Sequence, residues 1–180
     1  MANPTPDFLE ILKILSKHEA DFIVVGGVCA VLHGAPVTTF DLDIVHSRSR
    51  ENVTRLMSAL EELEAYYRER KDKRITPKQA HLTSQGRHLL ITRSGPLDLL
   101  GTIGSGHTYN DLLTRTVELK VSNLKVRILG LQTLIKVKKE TITEKDKIII
   151  PILQRTLAEK GKGKEKTEKK NHNSENNRLY

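Results

Sequence analysis

Apolar side chains recur along the chain with two different periods, and the switches between them mark out its elements. Phe8, Ile11, Leu12 and Leu15 keep helical spacing behind Asp7, which predicts a capped helix to about residue 17. Residues 22–25, FIVV, form a short apolar run rich in β-branched side chains that reads as a buried strand, and Gly26 and Gly27 end it abruptly. A short helix is expected over 28–32, stopped by Gly34 and Pro36, and then a strand over 38–45. Along that strand Phe40, Leu42 and Ile44 alternate with Asp41 and Asp43, so the apolar three are expected in the core. Residues 49–63 read as an amphipathic helix with Val53, Leu56, Met57, Leu60 and Leu63 on one side.

Beyond this helix the pattern weakens. A strand is expected to start at Ala65, and the basic run from Arg68 to Arg74 reads as a solvated turn. Residues 88–92 and 97–100 predict two strands separated by Ser94-Gly95-Pro96, a turn. A flexible loop follows over 101–106. Residues 116–121 and 124–128 then pair as a hairpin about Ser122-Asn123, and helices are expected over 130–139 and 143–159. Strands and helices interleave irregularly, so the expected fold is a mixed β-sheet packed by helices, α/β or α+β.

Composition changes this picture at the C-terminus. The chain has 180 residues, enough for one domain over 1–160, whereas 161–180 has only Leu179 and Tyr180 as sizeable apolar side chains. Such a segment cannot offset its ordering entropy and reads as a basic disordered tail. The formal net charge is +8, which favours polyanionic partners such as nucleic acid or nucleotides. The tail itself reads equally as a solubilising extension or as a weak RNA-binding arm. Cys29 is the single cysteine, which excludes a disulfide scaffold and a cysteine-ligated metal site, and its small apolar neighbours suggest a buried helix position. No signal-peptide pattern and no membrane-length apolar run is present, so a soluble, cytoplasmic protein with no membrane partner is expected.

The candidate chemistry lies where apolar and acidic positions alternate. Asp41 and Asp43 share one strand face, and two carboxylates that close repel unless a proton or a cation intervenes. An all-oxygen pair favours magnesium or manganese. Asp98 sits in Pro-Leu-Asp-Leu-Leu, and if its strand lies beside that of Asp41 and Asp43, three carboxylates converge. Three acids can hold the one or two ions used for in-line phosphoryl displacement. Gly26 and Gly27, between a strand and a helix, expose backbone N–H groups that phosphate oxygens can approach closely. Each feature alone has a plainer reading, since glycine pairs make turns and surface strands carry paired acids. Their order along one chain points to a site for a nucleoside triphosphate such as ATP.

Taken together, Val25-Gly26-Gly27, Asp41-Leu42-Asp43-Ile44 and Leu97-Asp98-Leu99 resemble the motifs of the nucleotidyltransferase superfamily that shares its fold with DNA polymerase beta. The form GGVCAVLHG…TTFDLDIV is most similar to small prokaryotic members, including relatives of the toxins of toxin–antitoxin pairs. Leu134-Ile135-Lys136-Val137-Lys138, with Asp146 eight residues on, matches a further pattern of such members. The resemblance implies that Asp41, Asp43 and Asp98 bind the metal and act in catalysis. It also implies that Gly26 and Gly27 hold phosphate and that Lys138 contacts it. Lys138 reads equally as a solvated helix lysine between Lys136 and Lys139. Three positions depart from the pattern: Val37 and Thr143 replace basic residues, and Ile149 replaces an aspartate.

The seven histidines show no H-x-x-x-H spacing. His33 reads as a helix-end residue, and His107 as a group that approaches Asp98 and assists the acceptor. The loop over 101–106 lacks a Gly-Lys-Ser/Thr and is no Walker sequence, which leaves a lid or a connection. The expected function is metal-dependent transfer of a nucleoside monophosphate from a triphosphate to a hydroxyl. The acceptor is left open between tRNA or another RNA, a protein and a small molecule, with an antitoxin as a further candidate partner. The alternative is a non-catalytic nucleic-acid-binding or partner-regulated module that keeps the fold, motivated by the +8 charge and the losses at Val37 and Thr143.

Overall fold

In the computed structural model, which describes residues 5–69 and 73–176 with side chains as far as Lys162, helix α1 (Phe8–Lys17) precedes strand β1 (Phe22–Val25). Helix α2 (Gly26–Leu32) follows β1 with no intervening loop. The chain continues through β2 (Leu42–His46), α3 (Arg50–Glu62), β3 (Tyr66–Tyr67), a short α4 (Gln79–Leu82), β4 (Arg87–Thr92) and β5 (Gly95–Leu100). It ends with α5 (Tyr109–Leu112), the hairpin β6 (Thr116–Val121) and β7 (Leu124–Leu129), then α6 (Leu131–Glu140) and α7 (Glu144–Asn176). The strands form one mixed sheet in the order β3-β4-β5-β2-β1-β7-β6, as the interleaved pattern predicts. Among the described residues no helix is long and apolar enough to cross a membrane.

Local chemistry explains the boundaries. Asp7 caps α1 by accepting from the Glu10 N–H at 2.9 Å, and Ser49 caps α3 by accepting from Asn52 N–H at 3.2 Å. The β6–β7 turn places Ser122 at φ 56, as the expected two-residue hairpin requires. Leu42, Ile44, Leu97 and Leu99 are fully buried on the two central strands, each contributing about 1.5–3 kcal/mol of burial. Around the sheet, α2 packs on β1 and β2, α1 on α3 and β7, and α6 on α7.

Five expectations need correction or extension. The second strand starts at Leu42 and not at residue 38, so two-residue alternation does not reach back to Phe40. Phe40, expected in the core, is 75% exposed. Helix α2 begins at Gly26, two residues early, because Gly26 at φ +63 turns the chain out of β1 without a connecting loop. The turn between β4 and β5 uses Arg93 and Ser94, with Gly95 and Pro96 already paired to Thr92 and Ile91. The backbone of α7 runs on as helix to Asn176, across most of the segment whose composition reads as disordered. Lysine and glutamate are good helix formers, so that composition does not oppose a helix even where it offers little to bury.

Candidate active site

Register brings the three aspartates together. Strand β2 pairs in parallel with β5, and Asp43 stands directly beside Asp98. Asp41 ends the connection into β2, and its carbonyl accepts from the Thr39 hydroxyl at 3.1 Å. One carboxylate oxygen from each of Asp41, Asp43 and Asp98 lies within 4.8 Å of the others. No other group of three acids, histidines or cysteines converges in this way among the described residues.

The electrostatics show what this costs. Burial, with the charges of Asp41 and Asp98 added, pushes the Asp43 carboxyl up to about 7, against a smaller pull from Arg87 and Lys138. Burial also raises Asp98, which is 2% exposed, although Arg68 draws it back down. Three half-buried or buried carboxylates facing one point are costly when all are ionised, and a cation between them removes that cost. The donor set is oxygen only, which fits a hard divalent ion such as Mg2+ or Mn2+.

The residues around this point include two that sequence reasoning missed. Arg68, assigned to a solvated turn, instead follows β3 and directs its guanidinium onto Asp98 Oδ1 as an ion pair. Its backbone N–H donates to the Leu89 carbonyl at 2.9 Å, extending the edge pairing by one residue. The signal was present in the alternation of Tyr66 and Arg68 about Tyr67, which continues a strand rather than a turn. Arg74 of the same basic run lies over the Tyr66 ring at 5.1 Å, and residues 70–72 of that run lie outside the described residues. Arg87, at the start of β4, places Nη2 3.9 Å from Asp98 Oδ2.

The glycines have a steric role that the sequence did not reveal. A Cβ on Gly26 would overlap the Asp43 carboxylate, and one on Gly27 would overlap the Thr39 side chain. Gly26 and Asp43 open onto a cleft of about 520 Å³ whose other side is formed by Arg87, Thr102, Lys138 and Asp146. Lys138 is only partly solvated there, since its Nζ donates to Asp146 Oδ1 at 2.7 Å. Asp146 also accepts from the Thr143 N–H at 3.1 Å and hydroxyl at 2.7 Å. Burial opposes its ionisation, but these partners hold its carboxyl below the usual range. Thr143, counted as a lost arginine, therefore serves as a cap for α7 that anchors Asp146.

His107 does not approach Asp98. Gly104 and Gly106, both at positive φ, curl the loop so that Ile103 pairs with His107, and His107 Nε2 lies 2.9 Å from Glu140 Oε2. The same carboxylate accepts from the Ser105 N–H at 3.0 Å and hydroxyl at 2.9 Å, which with His107 draws it down to about 2. His33 is the helix-end residue that was expected. Its ring N–H donates to the Leu129 carbonyl at 2.8 Å, beside Cys29 Sγ at 3.2 Å from the same oxygen. Both residues are buried, and burial pushes the Cys29 thiol up to about 12.

No family model and no curated protein matches the sequence. Solved structures do match the fold. The lincosamide antibiotic adenylyltransferase LnuA, solved bound to lincomycin, superposes with a TM-score of 0.56 at 13% identity, covering 82% of this chain and 94% of that one. The antibiotic-resistance factor ANT(2'')-Ia, a solution structure, gives 0.54 at 12% identity, covering 94% and 95%. The chain has the nucleotidyltransferase fold, as the three motifs predict.

Proposed function

We propose that the protein is a divalent-metal-dependent nucleotidyltransferase that moves a nucleoside monophosphate from a triphosphate to a hydroxyl. The observation that carries this reading is the convergence of Asp41, Asp43 and Asp98 beside the loopless strand-to-helix start at Gly26. In this reading Asp41, Asp43 and Asp98 hold Mg2+ or Mn2+, which when bound supplies charge neutralisation at the transferring phosphate. Gly26 and Gly27 offer backbone N–H groups to the triphosphate, and Lys138 and Arg87 face it from across the cleft. Asp98 helps remove the acceptor proton. The acceptor oxygen then bonds to the α-phosphorus, the bridge to the β-phosphate breaks, and pyrophosphate leaves.

The acceptor class follows less directly from the chain. Of the two solved structures described above, one is named as a lincosamide antibiotic adenylyltransferase and the other as an antibiotic-resistance factor, which supports including a hydroxyl-bearing small molecule beside RNA and protein. A transfer assay tests the reading. Protein, Mg2+ and each α-labelled triphosphate are incubated with lincomycin, an aminoglycoside, bulk tRNA or a protein extract. Label moving to one acceptor class, and lost in Asp43→Asn, is the expected result. Label moving equally well in Asp43→Asn, or in no mixture at all, overturns the assignment.

A further inference from the structure

The Arg68–Asp98 pair is not explained by stability alone. Asp98 is 2% exposed on a central strand, with Asp43 on one side in register and Leu89 on the other. Arg68 is fastened at the sheet edge by its N–H to the Leu89 carbonyl, so its side chain reaches across β4 to Asp98 Oδ1. Its own Nε is buried with no hydrogen-bond partner among the described residues, a cost borne to keep the guanidinium where it is. Arg87 lies by the other oxygen, Oδ2, but at 3.9 Å and with its side chain 67% exposed it can swing away. One oxygen of Asp98 is thus held by a partly buried cation, while the other faces an exposed one at 3.9 Å.

We propose that Arg68 is a positioning residue for the metal site: by occupying Oδ1 it fixes the Asp98 carboxylate plane and leaves Oδ2 as the oxygen available to a divalent ion. The inference rests on the reading of Asp41, Asp43 and Asp98 as metal ligands. Partners that orient a ligating carboxylate in this way typically govern metal affinity by about 10–100-fold. Lysine at this position keeps the charge but loses the planar fork, so it restores only part of the effect.

The test is Mn2+ binding, followed by the loss of the free-ion paramagnetic resonance signal, in wild type, Arg68→Met, Arg68→Lys, Asp98→Asn and the Arg68→Met/Asp98→Asn double variant. Circular dichroism and melting without metal establish that each variant is folded. Arg68→Met is expected to weaken Mn2+ binding by about tenfold or more, with Arg68→Lys between it and wild type. In the Asp98→Asn background the change at Arg68 is expected to add nothing, because Arg68 acts only through that carboxylate. Wild-type or tighter affinity in both single Arg68 variants overturns the inference, and so does an undiminished Arg68 effect without Asp98. A wild-type protein that takes up no Mn2+ overturns the metal reading itself, a result distinct from normal uptake by the Arg68 variants.

Discussion

On the sheet side of the site, Asp43 and Asp98 stand side by side on neighbouring strands, and burial with mutual repulsion drives the Asp43 carboxyl up to about 7. On the helix side, Asp146 is also buried, yet Lys138 and Thr143 keep it ionised below the usual carboxylate range. The same side-chain type meets opposite fates within one cleft. The helix side is electrostatically complete by itself, whereas the sheet side keeps an excess of negative charge that a proton or a further cation would offset. Groups that cost stability in isolation are a common mark of a functional site, and groups that satisfy one another are the mark of a scaffold.

Substitution on the sheet side should separate function from stability most sharply. Asp43→Asn removes a proposed metal ligand and a repulsive charge together. Transfer is expected to fall by about a thousandfold or more, because each 1.36 kcal/mol of lost transition-state stabilisation is tenfold in rate. The metal-free melting temperature at pH 7.5 should hold or rise by a few degrees. A variant that melts well below wild type would place Asp43 with the scaffold groups instead.

The pH dependence of stability sharpens the comparison next. The folded carboxyl of Asp43, near 7, lies above its ordinary 3.8, so the folded state binds more protons than the unfolded state between those values. The stability this contributes is full below about pH 4 and is lost as pH rises towards 7. The decline should reach at most about 4 kcal/mol, and less if Asp41 and Asp98 share the proton. Denaturant titrations without metal should show this fall, Asp43→Asn should lack it, and saturating Mg2+ should flatten it. Asp146 works in the other direction, adding stability above the ordinary carboxylate range that is lost as pH falls below it.

On the helix side, Lys138→Ala leaves Asp146 without its cation but with both Thr143 hydrogen bonds. A cost of about 1–2 kcal/mol is expected, below the 3–5 typical of a fully buried pair because Lys138 keeps some exposure. Chemical denaturation measures it. Unlike the change at Asp43, this one should lower stability and transfer together.

These contrasts also account for what the sequence made legible. Local signals carried the strand before Gly26, the Asp7 cap, the Ser122-Asn123 hairpin and the alternation that puts Asp41 and Asp43 together. The third acid was legible only conditionally, since Asp98 joins them through a parallel β2–β5 pairing that no local pattern specifies. Arg68 carried a local strand signal in its alternation with Tyr66, but its pairing with Asp98 was out of reach for the same reason. Its partner lies thirty residues away, and a run of basic residues resembles solvent-facing turn until the edge pairing is known. Phe40 failed differently, because alternation was extended past the true strand start into the loop that carries Thr39. Long-range register is the common missing term.

The smallest expected effect concerns the loop that links the two sides. It follows β5, which carries Asp98, and Thr102, Ile103 and Gly104 face the cleft. Glu140 holds it from the end of α6, two residues after Lys138, through Ser105 and His107. Glu140→Gln keeps the shape but weakens three charge-assisted contacts at once. Because this clasp is close to solvent, fold and metal affinity should not change measurably. The KM for the triphosphate should rise by about threefold with kcat little altered, since the loop shapes the binding wall and touches no reacting atom. Steady-state kinetics beside Mn2+ titration separate the outcomes. A fall in kcat with unchanged KM would move the loop from the binding wall into the chemistry.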